Sequence, residues 1–223
     1  MRRTALVLLL TAVIATACSD DEPSGTTVPQ APPTSIAADA ALPEEVRTFL
    51  DGVAEPGTIA FTATYRVQRK LGGGERDLEV RSEPPSWQIR DGDLVFVDGP
   101  KPATCRISAE RCVGELREAL LTPTGVFSRF FSTGPAQALR TDARRAGAGA
   151  PVSTTRTVLD QELQCLAIPI RGATPATYCR TEDGVFGWVD TPSVRYELIA
   201  YRPGPTGGSA GVPYPISANG GFL

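Results

Sequence analysis

Five cysteines, at positions 18, 105, 112, 165 and 179, are the residues of this chain best suited to covalent chemistry, and there is no histidine to assist them. Histidine is the commonest general base and the commonest metal ligand, so its absence excludes serine–histidine and cysteine–histidine catalysis in their usual forms. The one Gly-x-Ser-x-Gly run, Gly207-Gly208-Ser209-Ala210-Gly211, falls in the Gly- and Pro-rich tail with no helix pattern after it, unlike a strand-to-helix elbow, and no serine pairs with Lys70 or Lys101 as Ser-x-x-Lys. The carboxylate pairs Asp20-Asp21, Glu44-Glu45 and Glu182-Asp183 fall in a polar stretch, a helix start and a turn. Solvation or capping explains each better than a glycosidase pair does. The expectation is a protein that is not an enzyme and uses no cofactor.

Cys18 differs from the other cysteines in what precedes it. Met1-Arg2-Arg3-Thr4 is a short basic start, residues 5–14 are an apolar run, and Ala15-Thr16-Ala17 are small. That is the pattern of a secretory signal, and its apolar core is too short for a stable membrane span. A cysteine directly after the small residues resembles the bacterial lipobox, although Ala15 stands where leucine is usual. The resemblance implies cleavage after residue 17, acylation of the Cys18 thiol and anchoring to the outer face of the cell membrane. Two or three acyl chains hold a protein firmly where one holds it marginally.

Assigning Cys18 to lipid leaves four cysteines, an even number suited to disulfides in an exported protein. The simplest pairing is Cys105 with Cys112 and Cys165 with Cys179, each local and each on adjacent strands or a hairpin. Three connectivities remain formally open. A four-cysteine zinc site fits poorly, because both spacings are wider than the tight pairs zinc favours. No metal is expected.

The net charge of −3 grows more negative when Arg2 and Arg3 leave with the signal, which gives no support to nucleic-acid binding. Arginine far outnumbers lysine, and Ala, Gly and Pro are abundant. That composition fits a GC-rich, actinobacterial genome.

These residues need elements to position them. Residues 18–42, the lipidated cysteine and a Ser-, Thr-, Pro- and acid-rich stretch, have no apolar period and read as a disordered tether. Such a chain spans on the order of 25 Å. A folded domain is expected over 43–216, followed by an irregular tail at 217–223. Pro43-Glu44-Glu45 opens a helix whose apolar face is Val46, Phe49, Leu50 and Val53. Ile59, Phe61, Ala63, Tyr65 and Val67 alternate as a strand with one buried face. Short strands follow at 77–81, 86–90, 94–97 and 104–108, with Asp91-Gly92 as a hairpin turn. The glycines of Leu71-Gly72-Gly73-Gly74 read as a turn and not as a phosphate cradle.

The middle reads as helical: 114–121, a second segment opened by Thr122-Pro123 that carries Val126, Phe127, Phe130 and Phe131, and a third over 135–146. Strands resume at 153–159, 163–170, 177–181, 185–189 and 194–201, with a turn at Glu182-Asp183-Gly184. The segment Val212-Pro213-Tyr214-Pro215-Ile216 is expected to dock on the sheet. Leu94-Val95-Phe96-Val97 and Val185-Phe186-Gly187-Trp188-Val189 are apolar on both faces, so both sides must be covered by another layer or by a ligand. Trp87, Phe96, Phe127, Phe131 and Trp188 are the candidate ligand-binding residues.

The order of lipobox, tether, short helix, antiparallel meander, helical middle and second run of strands resembles the LolA-like family, including the mycobacterial LppX and LprG lipoproteins. The run Cys165-Leu166, then Tyr178-Cys179 and Gly184-Val185, is similar to an uncharacterised actinobacterial subgroup of that fold. The resemblance spans residues 43–216. It implies an α+β fold, a strongly curved, unclosed antiparallel half-barrel wrapped around a few helices. It also implies a concave face able to take acyl chains. The functional expectation is non-catalytic binding or carrying of an apolar ligand, a lipid above all. The alternative is an interaction or sensor module with a filled core and an envelope protein as partner.

Overall fold

The computed structural model describes residues 39–55, 57–145, 149–205, 207 and 210–217. The signal, Cys18, most of the tether, the predicted helix end at Ala146 and residues 218–223 lie outside the described residues. Within them are three helices and eleven strands. The helices are α1 (Glu44–Asp51), α2 (Glu118–Leu121) and α3 (Thr133–Arg145). The first meander comprises β1 (Phe61–Arg69), β2 (Glu75–Glu83), β3 (Ser86–Asp91), β4 (Leu94–Asp98), β5 (Ala103–Arg106) and β6 (Arg111–Val113). The second comprises β7 (Val152–Val158), β8 (Gln161–Ile168), β9 (Ala176–Arg180), β10 (Phe186–Asp190) and β11 (Val194–Pro203).

All eleven strands form one antiparallel sheet in the order β6-β5-β4-β3-β2-β1-β11-β10-β9-β8-β7. The two meanders are joined only where β1 pairs β11, from Phe61 opposite Pro203 to Arg69 opposite Val194. The ends β6 and β7 do not meet, so the sheet is a curved, unclosed half-barrel. A register shift at Thr64/Tyr65 and another at Phe186/Trp188 add local bend, as bulges do.

The alternation in β1 buries Phe61, Ala63, Tyr65 and Val67 on the concave side. Against that side pack Val46, Phe49 and Leu50 of α1, Phe130 and Phe131 of the loop before α3, and Ala136, Leu139 and Ala143 of α3. The centre is aromatic: Phe130 lies 5.0 Å from Tyr65 and 5.4 Å from Tyr196, ring centre to ring centre. Phe131 lies 5.7 Å from Phe61 in an edge-on arrangement that suits ring quadrupoles. Asp39 accepts a forked pair of hydrogen bonds from Arg140, and Leu42 is buried. The packing therefore reaches a few residues ahead of the expected start at 43.

The convex side has two smaller clusters, each around a disulfide. Cys105–Cys112 joins directly opposed residues of β5 and β6, among Val95, Val97 and Ala103. Val212 and Tyr214 cover it, and the Cys112 amide donates to the Pro215 carbonyl at 3.1 Å. The expected docking of 212–216 is thus observed. Cys165–Cys179 joins opposed residues of β8 and β9, beside Leu163 and Trp188.

The two strands expected to be apolar on both faces are explained by these layers. Val95 and Val97 face the convex cluster while Phe96 faces the core. In β10 the bulge at Gly187 sends Phe186 and Val189 inward and Trp188 outward. A side chain at Gly187 would meet Leu163 at 2.8 Å, so the residue is bound to be small there.

The middle of the chain departs from expectation. Only Glu118–Leu121 of the predicted 114–121 helix is helical. The preceding residues are held to β5 by the buried Thr104 hydroxyl, which donates to the Glu115 carbonyl and accepts from the Arg117 amide. Residues 126–132 form turns in place of a helix. Gly125, at φ 90°, ends the Thr122–Thr124 turn, and the Glu118 carboxylate accepts the Ser128 amide and hydroxyl. Strand β6 carries Cys112 opposite Cys105 of β5, as expected for a cysteine pair on adjacent strands.

Candidate ligand cleft

One wall of the cleft is α3. Its buried stripe (Ala136, Leu139, Ala143) faces the core, and the neighbouring stripe of Gly134, Ala138, Asp142 and Arg145 is left to line open space. Gly134 and Ala138 are small, so the helix stands against the sheet without filling the gap. The opposite wall is Tyr178, Val189, Val194 and Tyr196 of β9–β11, together with Ile170. Val126, Phe127 and Phe130 close one end. The space is about 520 Å³, within the size range of small-molecule sites, and its lining is mostly apolar.

Four of the polar groups lining it are tied in pairs, Thr191 with Ser193 and Tyr178 with Asp142. The Tyr178 hydroxyl donates to Asp142 at 2.5 Å across the cleft. Burial pushes the Tyr178 phenol far up, and the hydrogen bond to Asp142 and its charge push it further. Tyr196 is raised by burial as well. Both phenols stay protonated at neutral pH and act as fixed donors or acceptors. Just behind the cleft, Asp190 is paired with Lys70 and Arg195. Burial alone would raise its carboxyl, but hydrogen bonds from Arg195 and Lys70 outweigh that and hold it below the usual range. Asp93 is likewise lowered, by hydrogen bonds from the Ser108 hydroxyl and amide. Downward shifts in these two carboxyls are the mark of ion pairing and hydrogen bonding, the reverse of what general-acid catalysis needs.

Of the five aromatic candidates, Phe127 alone lines the cleft, where it is 62% exposed at the mouth. Trp87 and Phe131 come together, at 6.4 Å between ring centres, but inside the core. The Trp87 indole donates to the Ser128 carbonyl and so holds the loop before α3. Phe96 is a core residue of β4. Trp188 lies on the convex face, with the Arg156 guanidinium 3.8 Å above its ring and Arg195 at 5.3 Å. The helix expected over 135–146 is present as α3, but neither it nor Tyr178 and Tyr196 was expected to line a site. The small residues Gly134 and Ala138, one helical turn apart, were the available signal. The four paired cysteines stand together as expected, in two hairpin disulfides.

No family model matches the chain, and no curated protein does. Among solved structures, an uncharacterized conserved protein from Thermus thermophilus is similar over 73% of this chain and 89% of its own, with 8% identity and a TM-score of 0.43. MucB, solved in complex with MucA(peri), is similar over 78% of this chain and 62% of its own, with 13% identity and a TM-score of 0.38. Both likenesses are too distant to speak about function.

Proposed function

We propose that this chain is an exported envelope lipoprotein of the LolA-like kind, held to the outer face of the cell membrane through Cys18, that binds an apolar ligand without chemical change. The ligand we propose is an acyl chain of a lipid. The observation that carries this reading is the cleft of about 520 Å³ between α3 and β9–β11. Each methylene moved into such a cleft from water gains about 0.8 kcal/mol, so a chain of about ten gains enough to offset the cost of ordering it. The absence of histidine from the sequence and the protonated phenols of the cleft support binding over catalysis.

Native mass spectrometry of protein purified without detergent tests the reading directly, and bound lipid is the expected result. Ala138→Trp places an indole in the gap from an exposed helix position. It is expected to weaken binding of a fluorescent fatty acid at least tenfold while leaving the unfolding midpoint unchanged. Undiminished binding would remove the cleft as the site. Cys18→Ser is expected to move the protein from the membrane fraction to the soluble fraction with an unchanged melting curve. Retention in the membrane would count against lipidation.

A filled concavity under β1–β4, occupied by Phe131 and its neighbours Phe61 and Trp87, favours the second reading, an interaction or sensor module for an envelope protein. Lipid-free protein that nevertheless captures a specific envelope partner would establish it.

A further inference from the structure

The two ends of the sheet are treated differently. At β6 the C-terminal segment adds a parallel bridge, Ile216 beside Cys112, and the Ser217 amide donates to the Cys112 carbonyl at 2.7 Å. At the other end, β7 pairs with β8 over seven consecutive residues and, among the described residues, with nothing on its outer side. Six of its seven residues, Val152 to Thr157, are exposed. Alternate residues of such a strand turn their N–H and C=O groups outward with no partner.

Natural edges are usually guarded by proline, lysine, a bulge or an inward charge. Strand β7 reads Val-Ser-Thr-Thr-Arg-Thr-Val, without proline or lysine and without a register shift. Its one charge, Arg156, is drawn down over the Trp188 ring on the convex face and does not guard the edge. Val152 and Leu159, exposed at 53% and 43%, sit at opposite ends of the strand.

We infer that β7 is a self-association edge, pairing antiparallel with β7 of a second copy of this chain about a two-fold axis at Thr155. The choice of a second copy rests on how the sequence meets its own reverse. In that register Thr155 faces Thr155 of the second copy, Thr154 faces Arg156, Ser153 faces Thr157 and Val152 faces Val158. No like charges stand directly opposite, the threonines pair as strands favour, and the exposed Val152 and Leu159 are brought to the apolar ends of the second copy. A two-fold contact of this type closes on itself and stops at a dimer. The inference is independent of the ligand reading.

Its test uses the exported chain carrying Cys18→Ser, so that no other unpaired thiol or lipid interferes, in sedimentation equilibrium between about 1 μM and about 1 mM, the span of weak interfaces. A reversible dimer is expected. Thr155→Lys and Thr155→Glu each set like charges opposite one another, and each is expected to weaken the dimer at least tenfold. An equimolar mixture of the two is expected to restore association. Because position 155 is exposed, both variants should fold, which their melting curves check. A wild-type monomer throughout the range overturns the proposal. So does a dimer indifferent to both variants, which would place the contact elsewhere. A mixture that stays monomeric overturns the two-fold register.

Discussion

Phe131→Ala is expected to lower the stability of the domain by about 3–5 kcal/mol, the range for deleting a fully buried phenylalanine. Its ring lies within 6.4 Å of Phe61, Phe130 and Trp87, centre to centre, and is 2% exposed. Those neighbours belong to β1, β3 and the same loop, so the cavity cannot be closed by moving one element. For a domain of this size the loss corresponds to a drop of about 6–20 °C in the melting temperature. The Phe131 carbonyl also accepts the Phe186 amide at 3.1 Å, so loosening the loop weakens its hold on β10. Phe127→Ala, four positions earlier, provides the contrast. Its ring is exposed at the cleft mouth, and its removal is expected to cost little stability while reducing ligand affinity. Denaturant melts of the two variants decide the matter. Equal losses would mean that the loop is not seated as described.

Replacing Cys165 and Cys179 together by alanine is expected to cost about 3 kcal/mol, and replacing Cys105 and Cys112 about 2.5 kcal/mol, from the loop entropy restored to the unfolded chain. The difference follows from loop length, with separations of 14 and 7 residues. Both disulfides are buried on the convex face, away from the cleft. Ligand affinity should therefore be unchanged in either variant while the unfolding midpoint falls. Under the proposed export and acylation of Cys18, the wild-type protein is correspondingly expected to show no thiol reactive to labelling without reductant. An unchanged midpoint in a double variant, with free thiols in the wild type, would mean that the crosslink does not form.

Much of the sheet was legible because its signals are local. The clean alternation from Phe61 to Val67, Asp91-Gly92 and Glu182-Asp183-Gly184 each specify structure within a few residues, and each is found as expected. Cysteines placed on successive strands of a hairpin pair across it for the same reason. The helical middle was less legible. Val126, Phe127, Phe130 and Phe131 have helical spacing, yet Thr104, Glu118 and Gly125 bind the surrounding backbone into turns. Side chains that satisfy backbone groups compete with helix formation, and spacing alone does not register that competition.

The site divides along the same line. By itself the sequence determined a chain without histidine, four cysteines spaced for local pairs beside Cys18, and the strand period that demands a sheet with one face buried. Only the tertiary structure decided which aromatics meet the cleft. Phe127 and Phe131 are chemically identical, and one lies at the mouth while the other lies in the core. Trp188 is turned outward at a bulge by Gly187, where a side chain would meet Leu163 of another strand. The cleft itself exists because Gly134 and Ala138 of α3 face Tyr178, Val189 and Tyr196 across the concave side. A cavity is space left between elements from distant parts of the chain. No local pattern encodes the size of that space, whereas the period of a strand is written within its own residues.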